Sequence, residues 1–163
     1  MAASPFPYET RLNILQGPLE VIDEKALADA CEYKWYNQTL CQVNDSVIRL
    51  GVIEGEYHWH KHDDDDEFFY VVDGQLLIDL EDRTVELSPR QGFVVPKGVT
   101  HRTRAPHRTV ILMVENAGIV PTGNYATAAI ANRRSAITGI RSIEASRYAA
   151  SKCACIFAHA GSL

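Results

Sequence analysis

Residues 55–74 read GEYHWHKHDDDDEFFYVVDG, with His58, His60 and His62 at alternate positions ahead of the acidic run 63–66 and Glu67. Imidazole nitrogen and carboxylate oxygen are the donors that divalent transition metals favour, so the stretch is read first as ligand chemistry. In an extended strand, side chains of like parity share a face, which sets the three imidazoles on one side and Tyr57, Trp59 and Lys61 on the other. Two imidazoles can grip one ion, and Glu67, where the chain re-enters a strand, can add an oxygen. A fourth group has to come from elsewhere. PKGVTH, in which Pro96 and Gly98 mark a turn before His101, is the obvious supplier.

Such groups need a frame to hold them. From Val43 to Glu115 the chain is a series of short β-rich runs, SVIRLGVI, YHWHKH, EFFYVV, QLLIDL, TVEL, FVVP and TVILMVE, separated by turn residues. Short strands with turns about every 8 to 12 residues predict an all-β sandwich or barrel. Asp73-Gly74, between EFFYVV and QLLIDL, predicts a tight hairpin joining two neighbouring antiparallel strands, because Asp-Gly readily supplies the positive φ angles of such a turn. Phe69, Val71, Leu76, Ile78, Phe93 and Val95 are expected to fill the interior, making any pocket around the metal apolar. Ahead of the strands, 25–36 has helical spacing, with Leu27, Ala30, Cys31 and Trp35 on one side, and the arm before it is interrupted by Pro5 and Pro7. After VPTGN (120–124) the composition shifts to Ala, Ser, Arg and Ile, and Ile130, Ile137 and Ile140 could share one helical face that Gly139 interrupts. The expected organisation is an N-terminal arm and short helix over 1–42, a β-barrel over 43–118, and a weakly helical or loosely ordered C-terminal extension over 119–163.

The totals narrow the class of protein. A chain of 163 residues, 46% hydrophobic and 23% charged, is expected to fold as a soluble globular domain with a core of its own. The net charge is -5, but residues 124–163 carry +4 (Arg133, Arg134, Arg141, Arg147 and Lys152 against Glu144), so the first 123 residues stand at -9. An acidic body repels phosphate backbones, and nucleic acid is not an expected partner. The N-terminal MAASPFPYETRLNILQ has prolines where a secretory leader would be apolar, and the longest aliphatic run, VILMV at 110–114, is far short of a bilayer span. No membrane association is expected, and the cytoplasm is the expected compartment. Cys31, Cys41, Cys153 and Cys155 lack the density of a disulfide scaffold and are expected to be reduced.

The spacing of the donors resembles that of the cupin superfamily. Its first motif, G-x5-H-x-H-x(3,4)-E-x6-G, is matched by His60, His62, Glu67 and Gly74; its second, G-x5-P-x-G-x2-H-x3-N, by Pro96, Gly98 and His101. Taking His58 and His60 as the pair would leave six residues before Glu67, which the motif does not allow. Glu54 and Arg90 stand where the motifs open with Gly, and Ala105 where the second closes with Asn; none of these is a ligand position. The resemblance covers about residues 43–118. It implies a cupin-type jelly-roll barrel (double-stranded β-helix) holding a metal through His60, His62, Glu67 and His101, and pairing into a homodimer by strand exchange at a sheet edge.

Three imidazoles and one carboxylate suit Fe(II), Mn, Co, Ni or Zn rather than Mg or Ca, so one divalent transition metal per chain is the expected cofactor. Four protein ligands leave two positions of an octahedron open to a substrate or dioxygen, whereas a purely structural site would be closed. The expected function is a metal-dependent enzyme acting on a small organic molecule, with a lean towards an Fe(II) dioxygenase. Cupin enzymes also include sugar isomerases, decarboxylases and lyases, and a non-catalytic module that binds or senses a metal-bound ligand is the competing class. No catalytic residue beyond the ligands is nominated. His58 is assigned at most a place behind the ligands or in the pocket wall, as are Phe69 and Arg49. Arg102 and Arg104, opposite in parity to His101, are expected outside the barrel. The run 63–66 is expected to be a solvated turn, and Cys153 with Cys155 is a lone C-x-C without a second pair.

Overall fold

Alternation decides which side of nearly every strand is buried. The computed structural model describes residues 8–125, all within a unit spanning Met1–Thr127; the proposed helical face of Ile130, Ile137 and Ile140, the pair Cys153 and Cys155, and most of the C-terminal extension lie outside the described residues. The strands are β1 (Glu9–Arg11), β2 (Trp35–Val43), β3 (Ser46–Glu56), β4 (His60–Lys61), β5 (Glu67–Asp73), β6 (Leu76–Leu80), β7 (Thr84–Leu87), β8 (Gly92–Val95), β9 (His101–Asn116) and β10 (Asn124–Tyr125), with one helix, α1 (Glu24–Asp29), between β1 and β2. In β5 every second residue, Glu67, Phe69 and Val71, is buried, and β9 opens with the same rhythm at His101, Thr103 and Ala105. This is the fold expected of a jelly-roll barrel.

The 16-residue β9 is the spine of the barrel. It pairs with β3 along most of its length, with β5 at Val110–Val114, with β6 at His101–Arg104, and with β4 at His101. Pro106, which has no N–H to give to a ladder, falls where the β3–β9 register shifts between Ile53 and Gly55. The resulting bend lets one strand serve both halves of the rolled sheet. The interior holds Ile53, Phe69, Val71, Leu76, Ile78, Leu80, Val95, Ile111 and Met113, and Phe93 packs against it half-buried. On the outer face of β2 and β3, α1 covers a second layer of Leu40, Leu50, Val52 and Val110 with Ala28 and Leu27.

Two local expectations are corrected. The helix is only Glu24–Asp29, begun by the Asp23 side chain accepting from Ala26 N at 2.9 Å, and residues 35–36 are strand instead of helix. Trp35 and Tyr36 pair with Ile53 and Val52 of β3, which otherwise would have an open edge there, so ladder formation overrides a weak helical pattern and the sheet starts before position 43. Likewise Asp73-Gly74 is not a hairpin between β5 and β6: neither strand bonds to the other, and each pairs with a different stretch of β9. Gly74 turns a corner at φ 87° with its backbone so close to Thr109 that a Cβ would lie 2.5 Å from Thr109 Oγ1. The two-residue hairpin is elsewhere, at Asn44-Asp45 between β2 and β3, where Asn44 takes φ 53°. Arg90, which stands in place of a motif glycine, adopts the left-handed conformation of that glycine, with φ 70°.

Candidate metal centre

Strand pairing brings the two separated motifs together. His60 is the Cα partner of His101 across the β4–β9 ladder, and Glu67 opens the neighbouring strand β5. The turn before β9 ties the halves again, since Gly98 N donates to His62 O at 2.6 Å. All four side chains are withdrawn from solvent: His60, His62, Glu67 and His101 are exposed by 3%, 5%, 6% and 1%. His60, Glu67 and His101 each offer a ligand atom within 4.8 Å of the others, which is the size of a single-ion site.

The hydrogen bonds behind the rings select the tautomers. His60 Nδ1 lies 3.1 Å from His58 O and His101 Nδ1 lies 3.0 Å from Val99 O. A carbonyl oxygen only accepts, so each Nδ1 carries the hydrogen and each neutral ring keeps its lone pair on Nε2, as a metal ligand requires. His101 Nε2 then faces Glu67 Oε2 at 3.2 Å, lone pair to lone pair, a contact that becomes favourable when a proton or a cation sits between them. His62 Nε2 lies outside the 4.8 Å group but 3.5 Å from the same Glu67 oxygen, buried and without an aligned hydrogen bond. Burial holds the His60 imidazole down to about 3, helped by the charge of His101. Burial would raise the Glu67 carboxyl, yet the imidazoles around it, His101 first, then His62 and His60, hold it at about 2. An anionic carboxylate, the neutral imidazole of His60 and a convergent, under-satisfied set of donor atoms fit one divalent transition metal.

The centre adjoins a narrow cleft whose empty space, with the open solvent at its mouth included, is about 440 Å³. It is lined by the buried His60, Glu67, Phe69, Ile53, Ile111 and Met113 and by the partly exposed Trp35, Tyr57 and Pro121. Trp35 and Tyr57 stack with ring centroids 5.3 Å apart. Residues 121–125 pass back over the site as a strap: Tyr57 Oη donates to Pro121 O at 3.3 Å, His58 Nε2 to Thr122 O at 2.9 Å, and β10 pairs with β4. Gly123, at φ 64°, lies so close to His60 that a Cβ there would be 2.6 Å from Cδ2 of the ring.

Residues singled out from the sequence fall into three groups. His60, Glu67 and His101 converge, with His62 beside them. His58 stands behind the centre, but through its backbone carbonyl, since β4 is too short to carry all three histidines on one strand face. Phe69 lies in the cleft with its ring edge-on to His101, centroids 6.1 Å apart. Arg49 does not reach the cleft: it is 2% exposed, donates to Thr39 Oγ1 at 2.7 Å, and its Nε lies 2.5 Å from Glu115 Oε1. Arg102 and Arg104 are outside the barrel on Asp79, and His107 is exposed. Asp63, Asp64 and Asp66 are exposed, and Asp66 Oδ1 accepts from Lys97 N at 2.9 Å.

Glu115 was not read from the sequence, although it could have been. It continues the inward parity of Ile111 and Met113 on an otherwise apolar strand. Burial, with Glu67 nearby, raises its carboxyl to about 7, against the opposing charges of Arg49 and His62. Asn37, inward by the parity of Trp35 and Thr39, carries the same kind of signal. The strap has none, because only the tertiary fold says where residues 121–125 land.

A family model for the cupin domain matches residues 47–115. The chain is 46% identical over 92 residues to the uncharacterized protein YdbB of Bacillus subtilis (strain 168), covering 56% of this chain and 81% of that protein. Among solved structures, it is similar to a cupin-2 domain containing protein from Shewanella frigidimarina, with 32% identity and a TM-score of 0.57, over 59% of this chain and 94% of that one. Protein NMB1881 of Neisseria meningitidis is similar at 26% identity and a TM-score of 0.54, over 60% of this chain and 99% of that one. With both motifs brought together in a rolled sheet whose spine is β9, and with these relatives spanned nearly end to end, the chain belongs to the cupin superfamily.

Proposed function

We propose that this protein is a metal-dependent enzyme that acts on a small organic molecule, holding one divalent transition metal through His60, His62, Glu67 and His101. The observation that carries the reading is the buried, convergent set of His60, Glu67 and His101 donor atoms within 4.8 Å, two of whose residues, His60 and Glu67, line a cleft. When bound, the metal would supply Lewis-acid or dioxygen-binding chemistry at the positions the protein leaves open. The donor set suits Fe(II) among the divalent transition metals, and the lean towards a dioxygenase rests on that. The chain's own part is to hold the His60 and His101 rings oriented by the carbonyls of His58 and Val99, to keep Glu67 anionic, and to exclude bulk water with Ile53, Phe69, Ile111 and Met113. Burial raises the Tyr57 phenol, with the charges of Tyr8, Glu67 and Glu115 acting the same way, so it stays protonated at the rim.

Elemental analysis of the protein as isolated, beside His60→Ala, tests the metal: close to one transition metal per chain is expected, falling to a small fraction in the variant. Oxygen uptake over a substrate panel with Fe(II) tests the chemistry, and it should vanish in His101→Ala. Tight binding of a metabolite with no turnover under Fe(II), Mn or Zn would instead establish the non-catalytic sensing module. In the same reading the protein works as a homodimer. The arm carries Leu12, Ile14, Leu15, Leu19 and Val21 exposed by 40–106%, apolar surface that a second chain would cover. Sedimentation should give twice the chain mass. Among the described residues, no helix is long and apolar enough to cross a membrane.

A further inference from the structure

Among the described residues that line the cleft, all stand on strands of the barrel except Tyr57, in the loop before β4, and Pro121, in the strap. Strand residues are held by their ladders, so the wall can yield only where these two meet, and there Tyr57 Oη donates to Pro121 O at 3.3 Å. A yielding wall is needed. The cleft has room for about two water molecules beside His60 and Glu67, and an organic molecule of even a few carbons takes more.

The strap is tied down at few points. Ile119, 5% exposed, anchors its start, and the next residue, Val120, is 62% exposed. Beyond it the ties are the Tyr57 bond, His58 Nε2 donating to Thr122 O at 2.9 Å, and the pairing of β10 with β4 at Asn124–Lys61 and Tyr125–His60. A segment with little buried apolar surface and so short a ladder opens locally at much less cost than a core strand. Its closed position is nonetheless specific: Gly123, at φ 64°, rests against the His60 ring where no side chain would fit.

We propose that residues 120–125 are a latch over the metal centre, hinged after Ile119 and released when Tyr57 and His58 let go of Pro121 and Thr122, and that metal and organic substrate pass only while it is open. Closed, it keeps bulk water from the centre, as lids over reaction sites do. The latch's role as a gate rests on the metal-dependent reading; its opening does not. Tyr57 and His58 are positioning residues here, acting through the strap.

The test compares the full-length protein with its Tyr57→Phe/His58→Phe variant, which keeps both rings and removes both donors. In the metal-free wild type, hydrogen exchange read by NMR should show the amides of residues 122–125 protected, yet exchanging about a hundredfold or more faster than the Val71 amide, which donates to Gln91 O. In the variant the strap amides should exchange about tenfold faster still, the scale of one or two lost hydrogen bonds, with Val71 little changed. Zn(II) uptake and Zn(II) release to a chelator should both quicken by that same factor, leaving Kd within about twofold, because a gate alters passage alike in both directions. Strap amides that exchange no faster than Val71, or that show no protection, overturn the latch, and this comparison on the wild type stands even where the variant fails to fold. A loss of Zn(II) affinity in which release alone quickens also overturns it, since the strap would then be a fixed wall. Zinc uptake and release at the same rates in both proteins sink the gate and leave the metal reading standing, whereas a protein that takes up no zinc loses the metal reading and has its latch judged by the exchange rates.

Discussion

Glu67 and Asp79 are both buried carboxylates in strands that pair with β9, and both are held below the usual carboxylate range, yet they are opposites. Asp79, on the outer face of β6, has its bonding capacity filled: Arg104 grips it with two bonds of 2.7 and 2.8 Å, Arg102 donates at 2.8 Å and Thr84 Oγ1 at 2.6 Å. Its depression comes first from Arg104, against burial, with Thr84 and Arg102 adding to it. Glu67, on the inner face of β5, meets His101 Nε2 at 3.2 Å, whose lone pair faces it, and His62 Nε2 at 3.5 Å without an aligned hydrogen bond. Neither burial nor a shifted titration separates a binding site from a structural ion pair. Unfilled donor capacity beside a cleft does.

Four variants would break or sharpen this contrast. The largest effect is expected for His101→Ala, which removes the imidazole facing Glu67: metal affinity should fall about 1,000-fold, roughly 4 kcal/mol at 1.4 kcal/mol per tenfold, as measured by competition with a chelator. The melting temperature of the metal-free protein should change little beside that.

Asp79→Asn should do the reverse. Leaving Arg102 and Arg104 facing a neutral amide is expected to cost about 2–3 kcal/mol in urea unfolding, below the range for fully buried pairs because both arginines are partly exposed, while metal affinity stays within about twofold. Its pH dependence follows from a folded value lying below the unfolded one. The wild type's advantage over Asp79→Asn is complete above the ordinary aspartate value of about 4 and is lost as pH falls through the depressed folded value. Equal stability of the two proteins at neutral pH would mean the ring of arginines contributes nothing.

Gly123→Ala probes the strap. A Cβ placed 2.6 Å from His60 Cδ2 must push the ring or the strap aside. About a tenfold loss of metal affinity is expected, the scale seen when groups supporting a ligand are disturbed, with a cost of about 1 kcal/mol from the left-handed backbone. The smallest effect is a gain: Arg90→Gly restores the residue suited to φ 70°, and the protein should become more stable by about 0.5–1 kcal/mol with metal binding unchanged.

Legibility in the sequence followed the range of the interactions. The register of His60, His62, Glu67 and His101 was visible because a coordination site constrains residue type and spacing together, and strand parity with turn residues then carried the strands that position them. The inward side of β5 and β6 was read correctly for Phe69, Val71, Leu76 and Ile78 for the same local reason. The helix beyond Asp29 and the hairpin at Asp73-Gly74 were misread because their alternatives are long-range: β3 needs β2 as a neighbour, and β9 serves both β5 and β6. Arg49 looked available to a ligand until Glu115, 66 positions further on, was placed beside it.

The sequence by itself determined the rolled β architecture, the candidate ligands and the acidic character of the first 123 residues, since each of these depends on residue chemistry and short-range periodicity. Only the tertiary structure decided which polar groups are paired with one another and which are buried without a partner: Asp79 filled, Arg49 against Glu115, Asn37 Oδ1 unanswered, and Gly123 against His60. Satisfaction is a property of atoms a few ångströms apart whose residues are distant in the chain, and no local pattern encodes that distance.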